Sequence, residues 1–149
     1  MAERAHKLGL LFAGALALTQ PAHAETAAET AAAWGLLGTW SLDCGLPPSG
    51  GNGYMSYVAV SGGRLVHERD FGGWRDANEV LRVTLGVGGI DLTVYFLASA
   101  QTRQITVAKG PDGRVRATSE SLVNSNEFAI SDGKFTATGT DTPWQMRCR

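Results

Sequence analysis

From about position 37 onward, apolar and polar residues alternate with a period of two through most of this chain. Val58 and Val60 share one face of the stretch Tyr54 to Val60. Leu81, Val83, Leu85 and Val87 share a face of Glu79 to Val87, with Arg82 and Thr84 opposite, and Ile90, Leu92, Val94 and Phe96 lie together in Ile90 to Ala98. A period of two marks strands with one buried face. Between these stretches stand Gly62-Gly63, Gly88-Gly89, Gly110-Pro111-Asp112-Gly113 and Asp132-Gly133, short turn-formers suited to antiparallel hairpins. Val94-Tyr95-Phe96-Leu97 is apolar on both faces and reads as a central or doubly covered strand.

The remaining strands follow the same rule. A first strand is expected from Leu37 to Cys44, ended by the proline- and glycine-rich loop Leu46 to Gly53, which cannot feed a ladder. Arg64 to Phe71 returns from Gly62-Gly63. Thr102 to Lys109 pairs with Arg114 to Ser121 so that Ile105, Val107, Val115 and Ala117 share a face and the charges of Arg114, Arg116 and Glu120 look outward. Glu127 to Ser131, Lys134 to Thr138 and a terminal strand carrying Trp144, Met146 and Cys148 complete the series. The count of eight or nine strands at roughly ten-residue spacing predicts an all-β domain, an antiparallel up-and-down barrel of about eight strands. A two-sheet β-sandwich or a partly open barrel is the alternative. Closure removes exposed sheet edges, which favours the barrel.

The first part of the 149-residue chain has a different character. Arg4 and Lys7 precede the apolar run Leu8 to Leu18, and Ala22-His23-Ala24 has the small residues of a cleavage site. That layout predicts a secretory signal peptide over 1–24, too short an apolar run for a membrane span, and hence a periplasmic or secreted product without a transmembrane anchor. Residues 25–35, alanine-rich and without an apolar stripe, are expected to be a flexible leader or at most one fraying helical turn, and 36–149 a single barrel domain. Without residues 1–24, eleven basic and thirteen acidic side chains remain, a net charge of −2. No basic stripe interleaved with aromatics is present, which argues against nucleic acid as a partner.

Export gives the two cysteines a meaning. Cys44 and Cys148 each follow a tryptophan by four residues, Trp40 and Trp144, and a bridge between them would tie the first strand to the last. First and last strands are neighbours in a closed barrel. Trp40 and Trp144 are assigned structural roles.

Chemistry is sparse. His67 is the one histidine after residue 24; alternation with Leu65 turns it inward, with Arg69 on the same face, but no nucleophile motif accompanies it. No metal-ligand cluster and no cofactor motif occur, and Gly86-Val87-Gly88-Gly89 lies between strands, without the helix N-terminus that would hold a phosphate. An enzyme is therefore not expected. Trp74, among glycines and charges in the loop Phe71 to Asp76, and His67 are the candidate contact residues; the loop Leu46 to Tyr54 is the second candidate region.

Gly38-x-Trp40 on a first strand, with Arg147 beside the last, resembles the calycin superfamily and the lipocalins in particular. The resemblance implies that Trp40 plugs a closed barrel end, that Arg147 packs across it, and that the open end takes a small apolar ligand. Gly38-Thr39-Trp40-Ser41-Leu42-Asp43-Cys44, together with Ile130-Ser131-Asp132-Gly133-Lys134 and Thr142-Pro143-Trp144 through Cys148, also resembles an uncharacterised group of small exported bacterial β proteins, which implies no activity. The expected function is a cell-envelope binding module for a small apolar or amphipathic ligand. The alternative is a non-enzymatic interaction or structural protein whose partner is another envelope protein.

Overall fold

The computed structural model describes residues 23–149. The signal-peptide reading of 1–24 falls, but for its last two residues, outside the described residues. One helix, α1 (Ala27–Trp34), precedes ten strands: β1 (Gly38–Ser41), β2 (Tyr54–Val60), β3 (Arg64–Asp70), β4 (Arg75–Gly86), β5 (Gly89–Phe96), β6 (Gln101–Lys109), β7 (Val115–Leu122), β8 (Phe128–Ser131), β9 (Lys134–Phe135) and β10 (Met146–Arg147). They form one antiparallel sheet in the order β10-β1-β2-β3-β4-β5-β6-β7-β8-β9. The sheet is up-and-down and curled, so the architecture is barrel-like. It is a single sheet, not a sandwich.

Two expectations need correction. The strands number ten, not about eight, and the ladder does not close. β9 and β10 are two residues each, and the chain between them carries Pro143, which has no N–H to offer a ladder. In place of a closing strand, the C-terminal segment meets β7 in one isolated bridge, where Val115 and Gln145 exchange hydrogen bonds of 3.0 and 2.8 Å. Elsewhere along β7, the Thr142 hydroxyl donates to the Ala117 carbonyl at 2.6 Å and the Gly133 N–H to the Thr118 carbonyl at 2.8 Å. These single contacts blunt an edge that would otherwise invite pairing.

The register explains which side chains turn inward. β4 has a bulge between Val80 and Arg82: Val80 opposes Val94, Arg82 opposes Thr93, and Leu81 is left over and 53% exposed. Leu81 thus leaves the face it was expected to share with Val83. A second bulge separates Val107–Ala117 from Thr106–Ser119, skipping Thr118, and beyond it Glu120 opposes Ile105. The one-residue slip sends Glu120 to the inner face, where alternation alone placed it outside. At the β8–β9 turn, Asp132 and Gly133 both adopt positive φ, 52° and 71°, the backbone a two-residue hairpin requires.

Residues 25–35 are no loose leader. Thr26 and Glu29 form a capping box, Gly35 ends α1 in the left-handed conformation, and Ala28, Thr30 and Ala31 are buried against β2, β3 and β4. Small side chains let the helix approach the sheet closely without an apolar stripe. Leu36 follows, fully buried, and its carbonyl accepts the Trp40 indole N–H at 2.8 Å. The helix covers the β2–β3 turn end of the curled sheet, and its Ala31 packs with Leu36 and Trp40 in one buried cluster with Leu65, Val80, Ile90, Leu92 and Val94.

Cys44 and Cys148 are bridged, with Cα atoms 5.3 Å apart and a separation of 104 positions in sequence. β1 pairs β10 with Trp40 opposite Arg147, so the bridge reinforces a contact made by only a short ladder. β1 itself ends at Ser41, three residues sooner than expected. There the Asn52 side chain takes over: its Oδ1 accepts from Ser41 Oγ at 2.8 Å and from the Asp43 N–H at 3.0 Å, and its Nδ2 donates to the Asp43 carbonyl at 3.0 Å.

Candidate ligand cavity

Away from the helix-closed end, the curled sheet encloses a cavity of about 470 Å³. Each wall strand supplies the inward half of its alternation: Met55 and Tyr57 from β2, His67 and Arg69 from β3, Phe96 from β5, Ile105 and Val107 from β6, and Val115 and Ala117 from β7. Glu120 joins them because of the β7 slip. Gly50, Gly51 and Gly53 of the first loop and Phe71 from the end of β3 shape the mouth. Gly53 is required there, since any Cβ would collide with the Phe71 ring.

His67 is 4% exposed, and neither ring nitrogen has a hydrogen-bond partner among the described residues. Its ring stacks on Tyr57, centroids 4.8 Å apart, and meets Phe96 edge-on at 6.3 Å. Burial first, and the Arg69 charge second, push the imidazole pKa down to about 4, against a smaller upward pull from Asp76. At neutral pH it is an uncharged ring with one N–H and one lone pair to offer. The Tyr57 hydroxyl is pushed upward by burial and by Glu120, so it stays protonated.

The charges on the wall differ in how they are matched. Arg69 holds Asp76 through both carboxylate oxygens, Nε to Oδ1 at 2.9 Å, while its guanidinium lies 4.5 Å from the Phe96 centroid and 4.9 Å from that of Trp74. Burial raises the Asp76 pKa, but the hydrogen bond and charge of Arg69 outweigh it and hold the carboxyl below its usual range. Glu120 is paired with Arg103 at 2.8 Å. Arg116, by contrast, takes part in none of the ion pairs among the described residues, its Nε is buried without an acceptor, and its guanidinium lies 4.7 Å from the centroid of the Trp144 ring.

Arg116 and Glu120 were both expected to look outward; Glu120 turns into the cavity, while Arg116, between the inward Val115 and Ala117, places its guanidinium over Trp144 and against Gly133, neither of which lines the cavity. For Glu120 the cause is the bulge. Arg116 is covered by the C-terminal segment through Trp144 and lies close to Gly133. No periodicity predicts such a crossing.

The other residues singled out from sequence are dispersed. His67 is in the cavity wall. Trp74 is 50% exposed at the rim, packed edge-on against Phe71 at 5.0 Å, and lines a shallow hollow with Gly50, Phe71 and Gly73. Trp40 is buried, with the Arg147 guanidinium 5.8 Å from its ring. Trp144 is 38% exposed over Arg116. Cys44 and Cys148 lie in the bridge between the chain ends. Sequence reasoning missed Tyr57, Asn52, the inward turn of Glu120 and the cover of Arg116 by Trp144; for Tyr57, alternation with Met55 across the β2–β3 ladder was the available signal.

Among the described residues, no group of three His, Cys, Asp or Glu side chains is placed to hold a metal ion, and no helix is long and apolar enough to cross a membrane. Comparison with protein families, with curated proteins and with solved structures finds no match to this chain.

Proposed function

We propose that this protein is an exported binding module of the cell envelope that holds a small apolar or amphipathic molecule inside its curled sheet. The observation that carries the reading is the cavity of about 470 Å³, within the range of small-molecule sites, with an apolar wall interrupted by a few polar groups. A buried imidazole with both nitrogens unpaired costs stability unless something completes it. Export is supported by the Cys44–Cys148 bridge, since disulfides persist in oxidising compartments.

Titration with the neutral fluorophore N-phenyl-1-naphthylamine tests it. The disulfide-bonded protein is expected to bind one equivalent with enhanced emission, and Ala117→Trp, which fills the cavity from β7, to abolish binding while remaining folded. Equal binding by Ala117→Trp would place the fluorophore elsewhere and remove the basis of the proposal.

A second reading, a docking protein for another envelope protein, is favoured by the exposure of Trp74 and Leu46, 50% and 55%, on the two mouth loops. Trp74→Ser separates the two: it leaves naphthylamine binding intact on the first reading and eliminates partner capture on the second.

A further inference from the structure

We propose that the molecule held in the cavity is uncharged and carries a hydroxyl group, which donates to Glu120 and accepts from Tyr57. This rests on the reading of the cavity as a ligand site and goes further in naming the ligand's polar group.

Charge on the wall is matched from within the fold. Arg69 is paired with Asp76 and Glu120 with Arg103, and the Arg116 guanidinium lies over Trp144, which is not part of the wall. An ionised ligand would find no free counter-charge there and would lose its hydration without return. A carboxylate would in addition meet Glu120, which the β7 slip sets inward between its cross-strand neighbours Ile105 and Ile130, both lining the cavity.

A donor and an acceptor are left open. Tyr57 is 7% exposed, and its hydroxyl, which bonds to no described residue, is not sealed off as the His67 nitrogens are. It opens on the cavity that Tyr57 lines, and the stack on His67 holds its ring in place. On Glu120, Arg103 occupies Oε1, and no described residue donates to Oε2. The two groups come from β2 and β7, yet the Glu120 charge is close enough to help raise the Tyr57 pKa. A protonated phenol can donate, and a carboxylate can only accept. A hydroxyl is the smallest neutral group that takes the first bond and returns the second, and its bond to the charged acceptor is the stronger of the two.

Displacement of N-phenyl-1-naphthylamine at neutral pH by four compounds on one ring system tests the assignment: 2-naphthalenemethanol, 2-methylnaphthalene, 2-naphthoate and 2-naphthylmethylamine. The wild-type protein is expected to bind the alcohol at least about tenfold more tightly than the ionised acid or amine. Tyr57→Phe, which keeps the stack, is expected to lower the affinity for the alcohol relative to methylnaphthalene about fivefold, the effect of one lost hydrogen bond. Glu120→Gln is expected to raise the affinity for naphthoate relative to the alcohol about tenfold, because it removes the charge that the acid meets. Retained fluorophore binding shows that each variant is folded. An acid or amine that binds the wild-type protein as tightly as the alcohol, or a ratio that its folded variant leaves unmoved, overturns the inference and leaves the cavity reading standing. Failure of the fluorophore itself to bind the wild-type protein overturns both.

Discussion

Tyr57 and His67 sit opposite one another in the β2–β3 ladder, their rings parallel to within 7° and their centroids 4.8 Å apart. The stack fixes the imidazole in the cavity wall without using either nitrogen. A strand position that packing alone would fill with an apolar ring instead holds a polar one. That substitution of purpose is what the following expectations probe.

Replacing His67 by Phe keeps the stack and removes two unpaired polar atoms from a buried site. The variant is expected to be more stable than the wild type by about 1–3 kcal/mol, the usual penalty of an unsatisfied buried polar group. Thermal melting at neutral pH measures it. A lower melting temperature would mean that His67 is completed by something intrinsic to the fold.

Acid should destabilise the protein through the same residue. The folded imidazole titrates near 4 and the unfolded one near 6.5, so between these values the unfolded chain binds a proton that the folded one refuses. The contribution is present in full above about pH 6.5 and lost as pH falls towards 4, amounting to about 3 kcal/mol. Asp76, whose pKa is lowered in the fold, loses its contribution only further down, through and below the ordinary carboxylate range. Denaturant titrations from pH 7 to pH 4 are expected to show a fall in stability that His67→Phe flattens.

Reducing the Cys44–Cys148 bridge releases a loop whose ends are 104 positions apart. In the chain-entropy account a bridge across a loop of that size is worth about 4–5 kcal/mol. Urea unfolding of the Cys44→Ser/Cys148→Ser double variant is expected to show a loss of that order, with naphthylamine binding weakened as β10 leaves β1. An unchanged midpoint would show that the β1–β10 pairing needs no staple.

Asn52→Ala removes the side chain that stands in for a neighbouring strand beyond Ser41. It strands the Ser41 hydroxyl and the Asp43 N–H, and a cost of about 2 kcal/mol is expected. Asn52→Asp, which keeps the acceptor and loses the donor to the Asp43 carbonyl, should fall between the two in the same unfolding assay.

The legible part of this fold was whatever obeyed a period of two. Leu92, Val94 and Phe96 alternate inward, Asp132-Gly133 turns the chain, and the cysteines at the two ends meet, all as their positions imply, while the β4–β5 turn falls one residue early, at Val87-Gly88. Bulges defeated the rest. Leu81 and Glu120 each depart from the expected face because one extra residue was accommodated beside them, and nothing in the local letters marks Leu81 or Thr118 as the surplus residue. The helix was missed because alanines bury a face without an apolar stripe, although Thr26-x-x-Glu29 was a capping signal available to be read. Within the site, His67 and Arg69 followed from alternation with Leu65, whereas the Arg116–Trp144 contact depends on the path of a C-terminal segment that pairs only at single points.

The central claim is that the curled sheet holds one small molecule, and native mass spectrometry of the disulfide-bonded protein isolated from its source envelope tests it most directly. The account predicts a single adduct of one small apolar or amphipathic molecule that is retained by the wild-type protein and absent from Ala117→Trp prepared in parallel. A wild-type spectrum showing only the bare chain mass, under conditions that preserve the ligand of an unrelated lipid-binding protein run as a control, would contradict it.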